Sequence, residues 1–428
     1  LEQLAAGASF VCFKGVDYKA HVFINGTYLG SHEGFFSPFE FDFTACAREG
    51  ENVLVVRVEN DATGSGSGAP DRSYSGDKIY AATGPGFDEP EVGWHHCPPG
   101  MGIYQPVRVE FRPRLFVSDL YVRPLPEQKA AELWVEVFLC DPATEDVVIH
   151  YGVHGRNFEE TLFEDRVDRP GGMYRCGFGD DLQIAKAKAD GTYGKEQVWS
   201  MGKGINYLRI PIQMETFRWW TPDEPWLYQV QVTLEKADGQ VLDRAEQHFG
   251  MRSFHMDEAG DPKGSLYLNG NPIRLRGANT MGHEQQCVMK GDLDQLRDDL
   301  LLARICNMNF LRFTQRPVQD EVYTMCDMLG LMAQVDLPTF GAIRRNQYCE
   351  ILRQVDEMEK LARPHPSCIM VSYINEPSPE GGNSPHRSLD RKELEGLFGA
   401  ADALVQHRNP ERVTKPCDGD YNPPSPGI

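Results

Sequence analysis

No stretch of the 428 residues stays apolar for the roughly 20 positions that a membrane-crossing helix requires. Basic residues are outnumbered, 43 Lys and Arg against 63 Asp and Glu. The resulting net charge of −20 argues against a nucleic acid or an anionic membrane as partner, because both need a basic face. The eleven cysteines include no pair at CxxC or zinc-ligand spacing, and their number is odd. Scattered thiols fit a reducing compartment, and a cytoplasmic location is expected. A leader peptide is missing too, yet Leu1 already reads as mid-domain, so that absence decides nothing.

Glycine, proline and aromatic residues are plentiful, which suits a β-rich protein. From Ala8 to about Arg112 short strands alternate with turn signals. The run Lys19 to Ile24 leads into Asn25-Gly26, the strongest short hairpin signal. Asn52 to Val58 alternates as a half-buried strand should. Residues 62–94 are rich in Gly, Ser and Pro and read as long loops. This first region (residues 1–113) is expected to be a jelly-roll β-sandwich. Between residues 114 and 255 the candidate strands are Phe116–Pro124, Leu133–Leu139, Val147–Val153, Tyr207–Ile212, Trp226–Leu234 and Arg244–Phe249. Their even spacing predicts an immunoglobulin-like sandwich, interrupted by a polar insertion from Arg156 to Lys203.

From residue 256 onward the rhythm becomes strand then helix. Strands are expected at Ile273–Gly277, Asn309–Phe313, Leu331–Val335, Ile369–Ile374 and from Arg412. Helices fall between them, the first begun by Asp292. Alternating βα units mean a parallel sheet, and the order fits an α/β barrel. Only about 160 residues remain for it, against roughly 250 in a full barrel, so a partial (β/α)8 TIM barrel ending near strand five is expected. The run Ile369 to Ile374 is long enough for a strand and too short for a helix, and Pro364 and Pro377 bound it. It delivers Asn375 and Glu376 to a C-terminal strand tip, where such barrels keep their chemistry. A strand-end Glu that caps a loop or pairs with an arginine is the competing reading.

In the order and spacing of its motifs the chain resembles glycoside hydrolase family 2, which contains β-galactosidases, β-glucuronidases and β-mannosidases. The resemblance rests on the stretch from Phe13 to Tyr18, Asn25-Gly26, His32-Glu33-Gly34, the stretch from Gly102 to Val107, and the stretch from Trp220 to Tyr228. It continues through Phe249 to Arg252, Arg276 to Asn279, Arg312, Cys326 to Gly330, Asp336, His365 to Ser367 and Asn375-Glu376. There are departures. Where the family often carries Ser-His-Tyr-Pro after the second barrel strand, this chain has Thr314, Gln315, Arg316 and Pro317, and its strand-three acid is Asp336 rather than Glu.

The resemblance implies an exo-acting, retaining β-glycosidase with a carbohydrate as partner. β-Galactoside is the first choice of substrate, with β-mannoside and β-glucuronide behind it. Such chemistry uses two carboxyl groups. Glu376 is the implied general acid/base and Asn375 the donor to the sugar 2-hydroxyl. The implied nucleophile, a Glu at the tip of a seventh strand, has no counterpart in these residues. The chain is therefore expected to be truncated at both ends and inactive alone, within a parent that is active and can be a homo-oligomer. No redox cofactor and no protein-ligated metal are expected, with a structural or activating Mg or Na ion left open. Arg312 is a candidate at the substrate site, where it would hold the nucleophile or Asn375, with a barrel-interior ion pair as the competing reading. Asp336 is a candidate for a sugar hydroxyl, as are Arg276 and Asn279. Trp94 is a candidate for stacking on a sugar face and Asp88 for a hydroxyl, both from the first sandwich. His283-Glu284 read as solvated loop. The alternative is a non-catalytic carbohydrate-binding protein with a degenerate barrel.

Overall fold

The computed structural model describes residues 7–60, 79, 102–140, 147–169, 203–236, 238–280, 282–341, 343–377 and 389–419. Trp94, Asp88, the loops of 62–78 and 80–94, and most of the insertion after Arg169 lie outside the described residues.

In the first sandwich the Asn25-Gly26 signal makes the expected hairpin. Asn25 and Gly26 both adopt positive φ, at 53° and 83°. They close Lys19–Ile24 against Thr27–Glu33, and Leu54–Glu59 pairs on the other side. A second sheet takes Phe39–Asp42, Gly7–Phe13 and Val107–Pro113 in that order. Every second residue of Lys19–Ile24 is buried, and Ala20, Val22 and Ile24 join Val11, Phe13, Val16 and Phe43 in one apolar core.

The immunoglobulin-like sandwich has seven described strands in two antiparallel sheets. One runs Gly204–Gln213, Ala130–Leu139, Leu115–Leu125. The other runs Thr161–Arg169, Val147–Gly155, Tyr228–Lys236, Val241–Phe249. Its alternating inward residues include Leu133, Val135, Ile149, Val153, Ile210, Val230 and Val232, all buried. Thr161–Arg169 was not expected as a strand. Six of its nine residues are polar or charged, and it is held by ladder pairing to Val147–Gly155.

The third region holds a parallel sheet in sequential order: Gly277–Thr280, Phe310–Phe313, Met332–Asp336, Cys368–Asn375 and Val413–Asp418. Sequential order without a reversal is the winding of a barrel, not of a doubly wound sheet. Helices Leu293–Ile305, Asp320–Leu329, Tyr348–Ala362 and Arg391–Arg408 connect these strands. Asp292 caps the first of them, accepting from the Gln295 amide as expected.

Two expectations need correction. The segment read as barrel strand one splits: Asn271–Ile273 turns back on Ser265–Leu268 in an antiparallel sheet, and the true strand starts at Gly277. The cause is a second Asn-Gly turn, Asn269-Gly270, with φ of 52° and 74°. Residues 283–290 form a helix, His283–Lys290, instead of a loop.

The chain packs as two compact units. One comprises Leu1–Phe10, Glu110–Phe217 and Tyr228–Phe249; the other comprises Val11–Val109, Arg218–Leu227 and Gly250–Ile428. Within the second unit the first sandwich and the barrel share a core, in which Tyr18, Phe35 and Phe36 are buried with Ile351 and Val355. The Tyr18 hydroxyl accepts from the Ile79 amide at 2.9 Å and from Gln354 Nε2 at 3.0 Å. His32, in the motif expected to pack the sandwich, stacks on Phe39 and bonds Glu357 at 2.9 Å. Arg353 reaches the Glu33 carbonyl.

Candidate active site

The C-terminal ends of barrel strands two to five converge on one arginine. Arg312 lies in register with Gln334 on the next strand, and Gln334 and Asp336 share a face because they are two residues apart. Arg312 donates to Asp336 Oδ2 from Nε at 2.9 Å and from Nη2 at 2.6 Å, and Nη2 also donates to Asn375 Oδ1 at 2.8 Å. Asp418 Oδ2 lies 3.5 Å from the same nitrogen. Gln334 Nε2 bridges Asp336 Oδ1 at 2.9 Å and Asp418 Oδ2 at 2.5 Å, and Lys415 pairs with Asp418 Oδ1. Two acids, one arginine and a lysine thus form a closed network under the rim.

Burial opposes the charge of Arg312, but Asp336 above all, then Asp418 and Glu376, more than restore it, so its pKa rises. Burial pushes the Asp336 carboxyl up and Arg312 pulls it back, with Asp418 adding a further upward push. Asp336 is 2% exposed, and Oδ2 takes a third bond from the Gln315 amide at 3.0 Å. The expectation that Asp336 meets a sugar hydroxyl is therefore corrected: both its oxygens are engaged in holding Arg312, Gln315 and Gln334. Arg312 fills both roles considered for it at once, the ion pair and the hold on Asn375.

Cys368–Asn375 is buried throughout, and its last residue is anchored on two sides. The Asn375 amide donates to the Thr339 carbonyl at 3.1 Å, and its own carbonyl accepts from Gly341 at 3.1 Å. An amide side chain held through its oxygen by Arg312 keeps its two N–H donors for another acceptor. Glu376 follows with φ of 48°, and its N–H donates to the Asp418 carbonyl at 2.6 Å. A non-glycine residue in this region is uncommon and persists where surrounding bonds fix it. That turn carries the Glu376 side chain from the buried strand into solvent, where it is exposed.

Asn279 is exposed and sits opposite Arg312 in the parallel register, at the same end of the sheet. Arg276 is not there. It precedes Gly277, at the N-terminal end of the first strand, and its guanidinium is tied to the Asn307 carbonyl at 3.1 Å. Its candidacy as a sugar ligand is corrected on that ground. Glu284, expected in solvent, is 7% exposed, and burial raises its pKa. Gln334 and Lys415 were not anticipated. The only trace of Gln334 in the sequence is an amide between Met332-Ala333 and Val335 in a buried strand.

Three family models match the chain: the sugar binding domain of glycosyl hydrolases family 2 over residues 2–74, the family 2 model over 180–252, and the family 2 TIM barrel domain over 262–395. The chain belongs to glycosyl hydrolase family 2. Among solved structures this family 2 chain is similar to Bacteroides uniformis beta-glucuronidase, at 19% identity and TM-score 0.70 over 97% of this chain and 44% of that one. It is also similar to a putative beta-galactosidase from Bacteroides fragilis, at 18% identity and TM-score 0.71 over 98% of this chain and 54% of that one. These likenesses show the fold, and the chain spans about half the length of the structures it matches.

Proposed function

We propose that this family 2 chain carries the acid/base half of a retaining exo-β-glycosidase. Glu376 protonates the departing glycosidic oxygen and then activates the water that completes hydrolysis. Asn375 donates to the sugar 2-hydroxyl, a contact that strengthens as the oxocarbenium-like transition state forms. Arg312 is a positioning residue: it fixes the Asn375 amide and is itself fixed by Asp336 and Asp418. Asn279 offers a further polar contact at the same rim. The nucleophile is assigned to a carboxylate outside these 428 residues. β-Galactoside is the preferred substrate, followed by β-mannoside and β-glucuronide.

The observation that carries the reading is the exposed Glu376 at the end of a wholly buried strand, beside an amide locked by a partly buried arginine. The test is a panel of nitrophenyl β-glycosides on the longer polypeptide that contains this chain. Hydrolysis is expected for one of the three sugars. In Glu376→Ala the deglycosylation step should slow at least about a hundredfold, the low end of general acid–base catalysis, and azide should restore turnover with retained anomeric configuration. Turnover of an aryl glycoside by the 428-residue chain itself, abolished by Glu376→Gln, would refute the placement of the nucleophile elsewhere.

A further inference from the structure

The helix that follows the first barrel strand, His283–Lys290, puts His283 and Cys287 one turn apart on the same face. The next helix, Leu293–Ile305, brings Asp299 up to that face across the tight connection at Gly291 and Asp292. His283 Nε2 lies 2.8 Å from Asp299 Oδ2 and 3.9 Å from Cys287 Sγ, and the ligand atoms of the three side chains all lie within 4.8 Å of one another. Ligands at about 2.0–2.3 Å from a tetrahedral ion stand roughly 3.3–3.7 Å apart. Shifts of about an ångström or less would thus close the three side chains on one cation.

We propose that His283, Cys287 and Asp299 form a binding site for a borderline-soft divalent cation, zinc first. The donor set selects the class. A sulfur and an imidazole nitrogen disfavour calcium and magnesium, which take oxygen, while sulfur, nitrogen and oxygen together suit zinc or cobalt. The outer contacts are in place as well: Gln295 Nε2 donates to Asp299 Oδ1 at 2.7 Å, leaving Oδ2 directed at the site. Cys287 is buried while the His283 side chain is 64% exposed, so three ligands come from the protein and the fourth position faces solvent. On binding, the Cys287 S–H bond breaks, its proton leaves to solvent, and a sulfur–metal bond forms. The proton that His283 Nε2 donates to Asp299 leaves that nitrogen through solvent, the imidazole remains as the Nδ1–H tautomer and gives its Nε2 lone pair, and the Asp299 carboxylate exchanges its hydrogen bond for the metal. One thiolate and one carboxylate neutralise the dication. The ion would tie the helix that opens the first crossover to the helix that completes it.

The proposal is independent of the glycosidase reading, and its test needs no activity. Cobalt(II) is titrated into the 428-residue chain under reducing conditions. One equivalent should bind, with a sulfur-to-cobalt charge-transfer band and the visible bands of a tetrahedral ion, and zinc should displace it. Cys287→Ser should abolish the charge-transfer band. The exposed His283→Ala should weaken binding by more than about tenfold, at least the loss that an outer-sphere partner produces. Because Cys287 is buried and its variant could misfold, His283→Ala and Asp299→Asn decide the matter in that event. Absence of a charge-transfer band in the native chain, or equal bands and affinities in the native, His283→Ala and Asp299→Asn chains, would overturn the proposal.

Discussion

At pH 6 the imidazole of His365 should be a cation although it is fully buried. Nδ1 lies 2.6 Å from Asp327 Oδ2 and Nε2 lies 3.0 Å from Asp320 Oδ1, with the Tyr323 ring against the imidazole. Burial alone would push the histidine down, but the charge and hydrogen bonds of Asp327 and Asp320 outweigh it and lift the pKa from 6.5 to about 9. A folded pKa above the unfolded one means that folding takes up a proton. The stability it contributes is whole below about pH 6.5 and drains away as pH rises through about 9. At 1.36 kcal/mol per pH unit, this amounts to about 3 kcal/mol. The assay is urea denaturation followed by tryptophan fluorescence from pH 6 to 9.5. Trp220 is a suitable reporter, being fully buried with its indole N–H on the Asp327 carbonyl at 3.0 Å. The comparison is with His365→Asn, which removes the titrating group and the cationic partner of Asp327 Oδ2, so it should be destabilised most at pH 6 and progressively less toward pH 9.5. Parallel pH profiles for the two proteins would refute the argument, because they would mean that His365 is neutral when folded.

Two further outcomes are expected. Arg412 and Glu359 form a pair that is 1% and 0% exposed, with guanidinium–carboxylate distances of 2.9–3.0 Å; Arg412→Met should cost about 3–5 kcal/mol in the same denaturation assay, and adding Glu359→Leu should recover most of it. Gly330 has φ of 69°, and a Cβ there would stand 2.2 Å from the Pro222 carbonyl oxygen, so Gly330→Ala should lower the thermal midpoint by an amount worth at least about 1–3 kcal/mol; an unchanged midpoint would contradict that packing.

The barrel strands were legible where burial wrote itself into composition. Cys368–Asn375 is a run of apolar and small residues bounded by prolines, and only one element of that length fits. The tip residues Asn375 and Glu376 followed directly. The bonds that give them meaning did not, because Arg312, Gln334, Asp336 and Asp418 come from three strands and meet only through parallel register. The helix at His283–Lys290 was missed for a local reason: Gly282, with φ of 93°, stands where a Ser, Thr or Asp cap would announce it. Spacing between cysteines cannot announce Cys287, which has a histidine four residues before it and its third neighbour on another helix. Arg276 was misplaced because one Asn-Gly turn shifts the strand by a few residues, and that slip moves a side chain from one mouth of a barrel to the other.

The seat of Tyr18 against Gln354 has a practical consequence for how this polypeptide can be divided. The stretch from Gly250 onward looks in sequence like a module that could be produced or exchanged alone. Its helix Tyr348–Ala362, however, turns Arg353, Gln354 and Glu357 toward partners that lie more than three hundred positions earlier, and its Ile351 and Val355 belong to the core that also buries Tyr18, Phe35 and Phe36. Severed from residues 11–60, that helix would present a greasy, charge-flecked flank with nothing to cover it. Grafts between relatives should therefore carry the opening strands and this helix as one inherited piece.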